Sequence, residues 1–133
     1  MNTAWLDANV LIRVLTDQPA DLARKAQTLL GRAQKGDLLL VLSVVVVAEV
    51  VWVLGRHYGY DRDRIALGLR ELVTADGIAA EGADDVLDAL ALMVDHNVDF
   101  PDAYLAAAAN RRGDLVATFD TDFRKLGARI VAL

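Results

Sequence analysis

The sequence predicts an α/β protein with a central, mostly parallel sheet and helices on both of its faces. Short apolar runs typical of buried strands alternate with longer segments in which apolar residues recur at helical spacing. No linker, low-complexity run or internal repeat divides the 133 residues. With 55% hydrophobic residues the chain can bury a substantial core, so we expect one domain over residues 1–133.

Five strands are expected, at residues 3–6, 38–42, 78–80, 115–119 and 129–132. The second begins an apolar stretch, residues 38–54, that is interrupted only by Ser43 and Glu49. One strand of that length would far exceed the usual ~5–6 residues, whereas Ser43 can cap a helix, so we predict a strand followed by a helix. A membrane span is disfavoured because the stretch only just reaches the minimum of ~17 residues and contains Glu49.

Six helices are expected between these strands. Apolar residues at helical spacing, such as Ile65, Leu69 and Leu72, predict the side that each helix buries. The predicted helices cover residues 9–15, 21–35, 44–53 and on toward 58, 61–74, 84–95, and 99 or 100 to 110. Strands that alternate with helices form parallel sheets, and ligands gather at the carboxyl ends of such strands.

Composition limits the chemistry that the chain can perform. There is no cysteine, which excludes disulfides and thiolate sites, and residues 1–6 lack the features of a secretion signal. We therefore expect a cytoplasmic protein. The net charge of -5 argues against a simple basic face for nucleic acid. However, residues 76–102 contain no Lys or Arg, and basic residues elsewhere, such as Arg56, Arg111 and Arg124, could form a rim around an acidic centre.

Four acidic residues stand where an apolar element begins or ends. They are Asp7, Glu49, Asp102 and Asp120. An α/β fold can bring such residues together, and four neighbouring carboxylates would repel one another unless a cation joined them. Mg²⁺ and Mn²⁺ prefer carboxylate oxygens and water as ligands. The pattern therefore predicts a divalent metal site and metal-assisted attack at phosphorus.

Two of these acids lie in the first half of the chain. Asp7 follows the first predicted strand, and Asn9 could hold a water or orient it. The equally favoured alternative makes Asp7 and Asn9 a capping pair for the next helix. Glu49 stands among valines in a helix that is apolar on nearly every side, so we expect it to need a metal, an arginine or a site cavity.

The other two acids have strong structural alternatives. Asp102 falls in the first turn of an alanine-rich helix, where the helix dipole favours an acid and where Asp99 competes for the cap. Thr118, Asp120 and Asp122 alternate in a segment that, if extended, would place all three side chains on one side. The alternative for Asp120 and Asp122 is an Asx-turn.

Several other residues are weaker candidates. His57 and His96 are expected at the surface or at helix ends, and no glycine-rich phosphate loop is present. Trp5 and Trp52 are expected in the core or at a dimer contact. One acidic run is interpreted as a solvated helix face, with a second cation site as the less favoured alternative: Asp84, Asp85 and Asp88.

Four segments together resemble the PIN-domain ribonucleases, specifically the VapC-type toxins of type II toxin–antitoxin pairs. They are DANVLIR, SVVVVAEVVWVL, DFPDAYLAAAA and ATFDTDFRKL. The resemblance covers essentially the whole chain. It implies a PIN-like three-layer α/β/α sandwich with acidic residues around Mg²⁺, or Mn²⁺, at the carboxyl edge of the sheet. By position it implies Asp7, Glu49, Asp102 and Asp120 as catalytic metal ligands, with Asn9, Thr118 and Asp122 as accessory residues.

The resemblance also implies an activity and partners. It points to a Mg²⁺-dependent endoribonuclease acting on tRNA, rRNA or mRNA, a homodimer, and a cognate VapB-type antitoxin. Two alternatives stay open. A PIN-like module that binds RNA or protein without cutting would have an incomplete set of acids, and a haloacid-dehalogenase-like phosphatase with Asp7 as nucleophile would favour Asp where Asn9 stands.

Overall fold

The computed structural model describes residues 1–132 and contains parallel strands that alternate with helices. The strands are β1 (Asn2–Trp5), β2 (Leu38–Leu42), β3 (Ile78–Ala80), β4 (Leu115–Val116) and β5 (Arg129–Ile130). The α-helices are α1 (Ala8–Thr16), α2 (Ala20–Gln34), α3 (Val44–Arg56), α4 (Arg62–Val73), α5 (Ala83–His96) and α6 (Phe100–Arg112). A 3-10 helix covers Thr121–Leu126. The α/β class is confirmed.

The chain divides into two compact units, Met1–Glu81 and Gly82–Leu133. The first contains a parallel sheet in the order β1-β2-β3. Its central strand, β2, is paired along both edges and alternates buried leucines with half-buried residues. Two further hydrogen bonds extend the pairing, from Leu6 N to Val41 O and from Glu81 N to Leu42 O, both at 2.9 Å.

Helix α3 begins where the sequence predicts it. The Oγ of Ser43 accepts a hydrogen bond from the amide of Val46 at 3.3 Å and caps the first turn. One side of the helix, with Val47, Val50 and Leu54, is buried, and the helix packs against α1. Burial of this apolar side outweighs the weak helix propensity of valine. The division of the long apolar stretch into strand and helix is confirmed.

The second unit is built on the packing of α5 against α6. Alanines 103, 106 and 107 give α6 a small, buried surface that allows α5 to approach closely. Strands β4 and β5 pair in parallel. A separate buried cluster joins α6, the strands and the 3-10 helix: Ala106, Val116, Phe123, Leu126 and Ala128.

The elements near the C-terminus differ most from the sequence prediction. The fourth strand ends at Val116 rather than residue 119, and the fifth ends at Ile130, with one more backbone bond from Val131 N to Val116 O at 3.0 Å. The 3-10 helix is not predicted by the sequence pattern. Among residues 1–132, no helix is long and apolar enough to cross a membrane.

Gly77, directly before β3, is required by both its backbone conformation and its neighbour. Its φ is +82°, and a Cβ at this position would lie 2.3 Å from the carbonyl oxygen of Ala33. Its own carbonyl accepts a hydrogen bond from Leu40 N at 2.9 Å, so the residue also belongs to the sheet. A side chain here would separate β3 from α2.

We predict that Gly77→Ala lowers the free energy of unfolding by about 3 kcal/mol, because it combines a strained φ with a steric overlap. The matched control is Gly36→Ala, since Gly36 has a similar φ of +85° but a methyl group there would have no neighbouring atom within 4 Å. That control should cost only about 1 kcal/mol. Urea unfolding of both variants measures the difference, and equal losses would contradict the proposed overlap.

Candidate functional site

Asp7 caps helix α1 at the carboxyl end of β1. Its Oδ1 accepts a hydrogen bond from Ala8 N at 3.0 Å, and the side chain is exposed. Asn9 lies in the first turn of the same helix and is also exposed. The capping alternative is therefore realised for Asp7. A carboxylate has a second oxygen with further acceptor capacity, so capping and ligand binding are compatible.

Glu49 lies on the exposed side of α3, opposite the buried side defined above. Because the side chain is exposed, burial does not force Glu49 to have a metal, an arginine or a site cavity as expected, and its role as a metal ligand stays a prediction. The valines flanking it in sequence point in other directions because a helix turns about 100° per residue. Its position in water accommodates the charge and leaves the carboxylate accessible to a ligand.

Asp102 lies in the first turn of α6 and is half-buried. Asp99 is the N-cap residue, so Asp102 occupies the third helical position, where the helix dipole favours a negative charge. The structural alternative thus explains why an acid is stable here. It does not prevent the carboxylate from binding a ligand.

Hydrogen bonds organise the loop that follows β4. Asp120 N donates to Thr118 Oγ1 at 3.0 Å, and Asp122 N donates to Asp120 Oδ1 at 2.9 Å. Asp120 caps the 3-10 helix, four residues beyond the end of β4. The expectations that Asp120 directly follows its strand and that Asp122 continues an extended segment are wrong, and the Asx-turn alternative is realised for Asp120.

The sheet of the first unit has one chemically distinctive edge. Because β1, β2 and β3 are parallel, their carboxyl ends lie at the same edge, where Asp7, Ser43 and Glu81 follow them. Glu81 is exposed and is not among the residues predicted from the sequence. Its position directly after the predicted strand at residues 78–80 was the signal that could have identified it.

The candidate acids suit Mg²⁺ by donor type, since carboxylate oxygens are the ligands that it prefers. Within residues 1–132, however, no group of three or more acidic or histidine side chains is arranged so that it could hold a metal ion. The assignment of Asp7, Glu49, Asp102 and Asp120 as metal ligands therefore stays a prediction.

The sequence matches the family model of the PIN domain over residues 4–129. The chain belongs to the PIN domain family. This match confirms the predicted PIN-like α/β fold class. PIN domains are in general nucleases that bind nucleic acid and typically use divalent metal ions, so a nuclease-type activity is indicated. No curated protein matches the sequence.

The acidic run of α5 forms a salt-bridge network in this PIN domain. Asp85 is only 3% exposed, and its two oxygens accept hydrogen bonds from Nη1 and Nη2 of Arg112 at 3.1 and 2.8 Å. Arg111 contacts the same carboxylate through Nε at 3.2 Å and pairs with Asp88 through Nη2. The interpretation of this run as a solvated face is therefore wrong for Asp85, whereas Asp84 and Asp88 are exposed as expected.

This network changes the set of cations available to a nucleic acid. Two arginines of the expected basic rim, Arg111 and Arg112, join α6 to α5 instead. Hydrogen bonding to Arg112 holds the pKa of Asp85 below its ordinary value, although burial opposes this shift. The same interaction raises the pKa of Arg112. The paired, charged carboxylate is thus the stable form, and the arrangement explains the run without a second cation.

The remaining candidates from the sequence are two histidines and two tryptophans. His57 caps the C-terminus of α3 and His96 ends α5, and both are exposed, as predicted. Trp5 and Trp52 are 65% and 59% exposed, so their expected place in the core is wrong. Their role in a dimer contact stays a prediction.

A cleft of about 430 Å³ lies in the first unit between α1, α2 and α4. Its lining contains none of the candidate acids. Apolar side chains, including Leu15, Leu30 and Leu72, alternate with polar ones, of which Glu71 and Asp76 are charged. The chemistry of this cleft suits an apolar segment of a partner better than a phosphate, because both of its charges are negative.

We predict that Asp85→Asn lowers the free energy of unfolding by about 1–3 kcal/mol at neutral pH, because it removes the charge that both arginines contact. Asp84→Asn is the matched control, since Asp84 is exposed and offers Arg111 only its backbone carbonyl. Folding lowers the pKa of Asp85 below its ordinary value, so the stabilising contribution of this carboxylate is present above the ordinary value and is lost as pH falls through the lowered one. Urea unfolding from pH 7 to pH 2 measures the free energy of unfolding of Asp85→Asn and of the unsubstituted protein. The two values should converge at low pH, and a difference that does not change with pH would contradict this role.

Proposed function

We propose that this PIN domain is a Mg²⁺-dependent endoribonuclease and the toxin of a VapBC-type pair. The match over residues 4–129 supports nuclease chemistry. The observation that carries the proposal is that all four motif positions hold carboxylates that solvent can reach. Asp7, Glu49 and Asp120 are exposed and Asp102 is half-buried. Substrate and metal can reach carboxylates of this kind without any rearrangement of a core.

Asp7 and Asp102 are the principal metal ligands in this proposal, and Glu49 and Asp120 complete the set. Two of these carboxylates are already oriented by the backbone, because Asp7 accepts from Ala8 N and Asp120 accepts from Asp122 N. Fixed side chains lose less conformational entropy when they bind a ligand. Helix and loop capping therefore prepares these acids for a second role.

Three accessory residues support the principal acids. Thr118 accepts a hydrogen bond from Asp120 N and so holds the loop that presents Asp120. Asn9 is exposed in the first turn of α1 and could orient a water near Asp7. Asp122 is exposed and lies 3.6 Å from Lys125 Nζ, which balances part of its charge. We assign Thr118 and Asn9 positioning roles and Asp122 a minor electrostatic role.

The reaction proposed is hydrolysis of an RNA phosphodiester by in-line attack of water. When bound, Mg²⁺ supplies Lewis-acid activation of water and stabilises negative charge at phosphorus. The chain's own contribution is to hold acceptors at the reacting centre and to approach RNA with basic side chains elsewhere. With Arg111 and Arg112 paired to Asp85, that approach falls to other basic residues.

Two other functions are less well supported. A PIN-like module that binds without cutting would have an incomplete acid set, whereas this chain retains all four. A haloacid-dehalogenase-like phosphatase would favour Asp at the position of Asn9, and the PIN family match provides no support for that class.

The toxin role implies partners. We propose a VapB-type antitoxin that blocks the metal or substrate site, and the cleft between α1, α2 and α4 offers a surface for an apolar segment of it. We also propose a homodimer and a cytoplasmic location. Exposed aliphatic side chains such as Leu67 and Leu105 are compatible with self-association. The toxin role predicts a small upstream reading frame that encodes a DNA-binding protein. Co-purification of that protein with this chain would test the role.

We predict that Asp7→Asn lowers the rate of RNA cleavage by roughly 100-fold or more while the fold stays intact. Asparagine caps helices as well as aspartate does, so the α1 cap survives and only the anionic ligand is lost. Asp37→Asn, an exposed substitution outside the candidate set, is the matched control and should cleave normally.

The measurement is cleavage of tRNA and rRNA in Mg²⁺, with thermal unfolding to verify the fold. EDTA should abolish cleavage by the unsubstituted protein, and added Mg²⁺ or Mn²⁺ should restore it. Full activity of Asp7→Asn, or cleavage that is insensitive to EDTA, would refute the assignment.

A further inference from the structure

Two large aromatic rings are exposed directly beside candidate acids. Trp52 is 59% exposed and lies one helical turn after Glu49, and Phe119 is 92% exposed and directly precedes Asp120. The chain has only eight aromatic residues, so two of them in these positions are a notable share. A ring that stays mostly exposed contributes less to folding than a buried one, because less of its surface is removed from water. These rings are therefore candidates for contacting a ligand.

Trp52 lies on the exposed stripe of α3 and is held there. Residues 45, 49, 52 and 56 recur at helical spacing on this side of the helix, and all are exposed. The His57 ring packs edge-on against Trp52, with centroids 5.2 Å apart at 78°. Such a contact restricts the indole while leaving it accessible. Arg56, one turn beyond Trp52, places a cation on the same stripe.

Phe119 lies in the loop whose hydrogen bonds involve Thr118, Asp120 and Asp122. The apolar residues on either side of this loop, Val116 and Phe123, fill the buried cluster of the second unit. Phe119 is thus not needed for that cluster. The following 3-10 helix carries two exposed cations, Arg124 and Lys125, of which Lys125 lies 3.6 Å from the Asp122 carboxylate. In sequence, this ring and Trp52 therefore each lie near a candidate acid and within five residues of an arginine.

We propose that Trp52 and Phe119 are positioning residues that stack on unpaired RNA bases close to the phosphodiester to be cut. The inference rests on the proposed function and extends it to named contacts with the substrate. Bases in single strands expose a π-face that an aromatic ring can cover, whereas bases within a duplex already stack on one another. The flanking cations would contact the phosphates.

The cations beside each ring favour RNA over a second copy of the chain as the occupant. Trp5 offers a comparison inside the same protein, since it is 65% exposed and lies two residues before Asp7. No Lys or Arg lies within five residues of Trp5 in sequence, whereas each proposed stacking ring has a basic residue within that distance. Charge complementarity therefore separates Trp52 and Phe119 from Trp5.

The test measures binding rather than cleavage, in the full chain carrying Asp7→Asn. Fluorescence anisotropy with a short labelled oligouridine and with an RNA duplex compares Trp52→Ala and Phe119→Ala against Trp52→Phe and Phe119→Tyr. We expect each alanine variant to bind the single strand about tenfold more weakly, and each aromatic variant within about twofold of its parent. Duplex affinity should not change. Leu22→Ala, which truncates an exposed apolar side chain of α2, is the control and should have no effect.

Tryptophan emission gives a second readout. In a Trp5→Phe background Trp52 is the sole tryptophan, and its emission should be quenched by oligouridine but not by duplex. Unchanged single-strand affinity in the double alanine variant, or no binding by the parent, would overturn the inference. So would reduced self-association in sedimentation with RNA affinity retained, because that outcome makes the rings an interface between copies.

The two proposals can fail separately. Stacking effects on binding together with full cleavage by Asp7→Asn would refute the metal-site assignment and leave the stacking residues supported. Loss of cleavage in Asp7→Asn with no effect of Trp52→Ala or Phe119→Ala on binding would support the metal-site assignment and refute the stacking residues.

Discussion

The parallel pairing of β2 with both of its neighbours is the constraint on which the first unit depends. It directs the carboxyl ends of three strands to one edge, so that Asp7, Ser43 and Glu81 emerge together. Helices α1 and α3 start at this edge, and the residues that follow β1 and β2 are therefore capping residues. The topology by itself therefore accounts for the polar edge, independently of any function.

The second unit depends on a different kind of interaction. Small alanines let α5 and α6 approach closely, and the buried Asp85 carboxylate then meets Arg111 and Arg112 across the helix pair. A buried charge is tolerated only when its partners satisfy it. This pairing also decides which cations are free to serve elsewhere, because an arginine held by a carboxylate is a poor contact for phosphate. Salt bridges that stabilise the fold and contacts to phosphate thus both use arginine, and an arginine in the first role is not available for the second.

Several candidate acids stabilise a helix and still leave their carboxylates accessible, so the structural role does not exclude the proposed one. Asp7 and Asp120 cap helices, and Asp102 lies where a helix dipole favours it, yet all three remain accessible. A carboxylate fixed by a backbone amide retains lone pairs for another partner. In a PIN domain, the stability of the fold and the orientation of the acids can therefore come from the same hydrogen bonds. The exposed rings beside two of the acids would add substrate contacts to this frame.

The fold class, the bounds of β2 and β3, the Ser43 cap and the family could all be predicted from the sequence, because they depend on local periodicity, capping chemistry and ordered motifs. The helix bounds also followed to within a few residues. The packed structure was needed to learn that Glu49 and Trp52 face water, that Asp85 is buried against arginines, and that β4 stops at Val116. Burial depends on what packs against a residue from distant parts of the chain. The sequence around a residue does not show which distant part of the chain will pack against it.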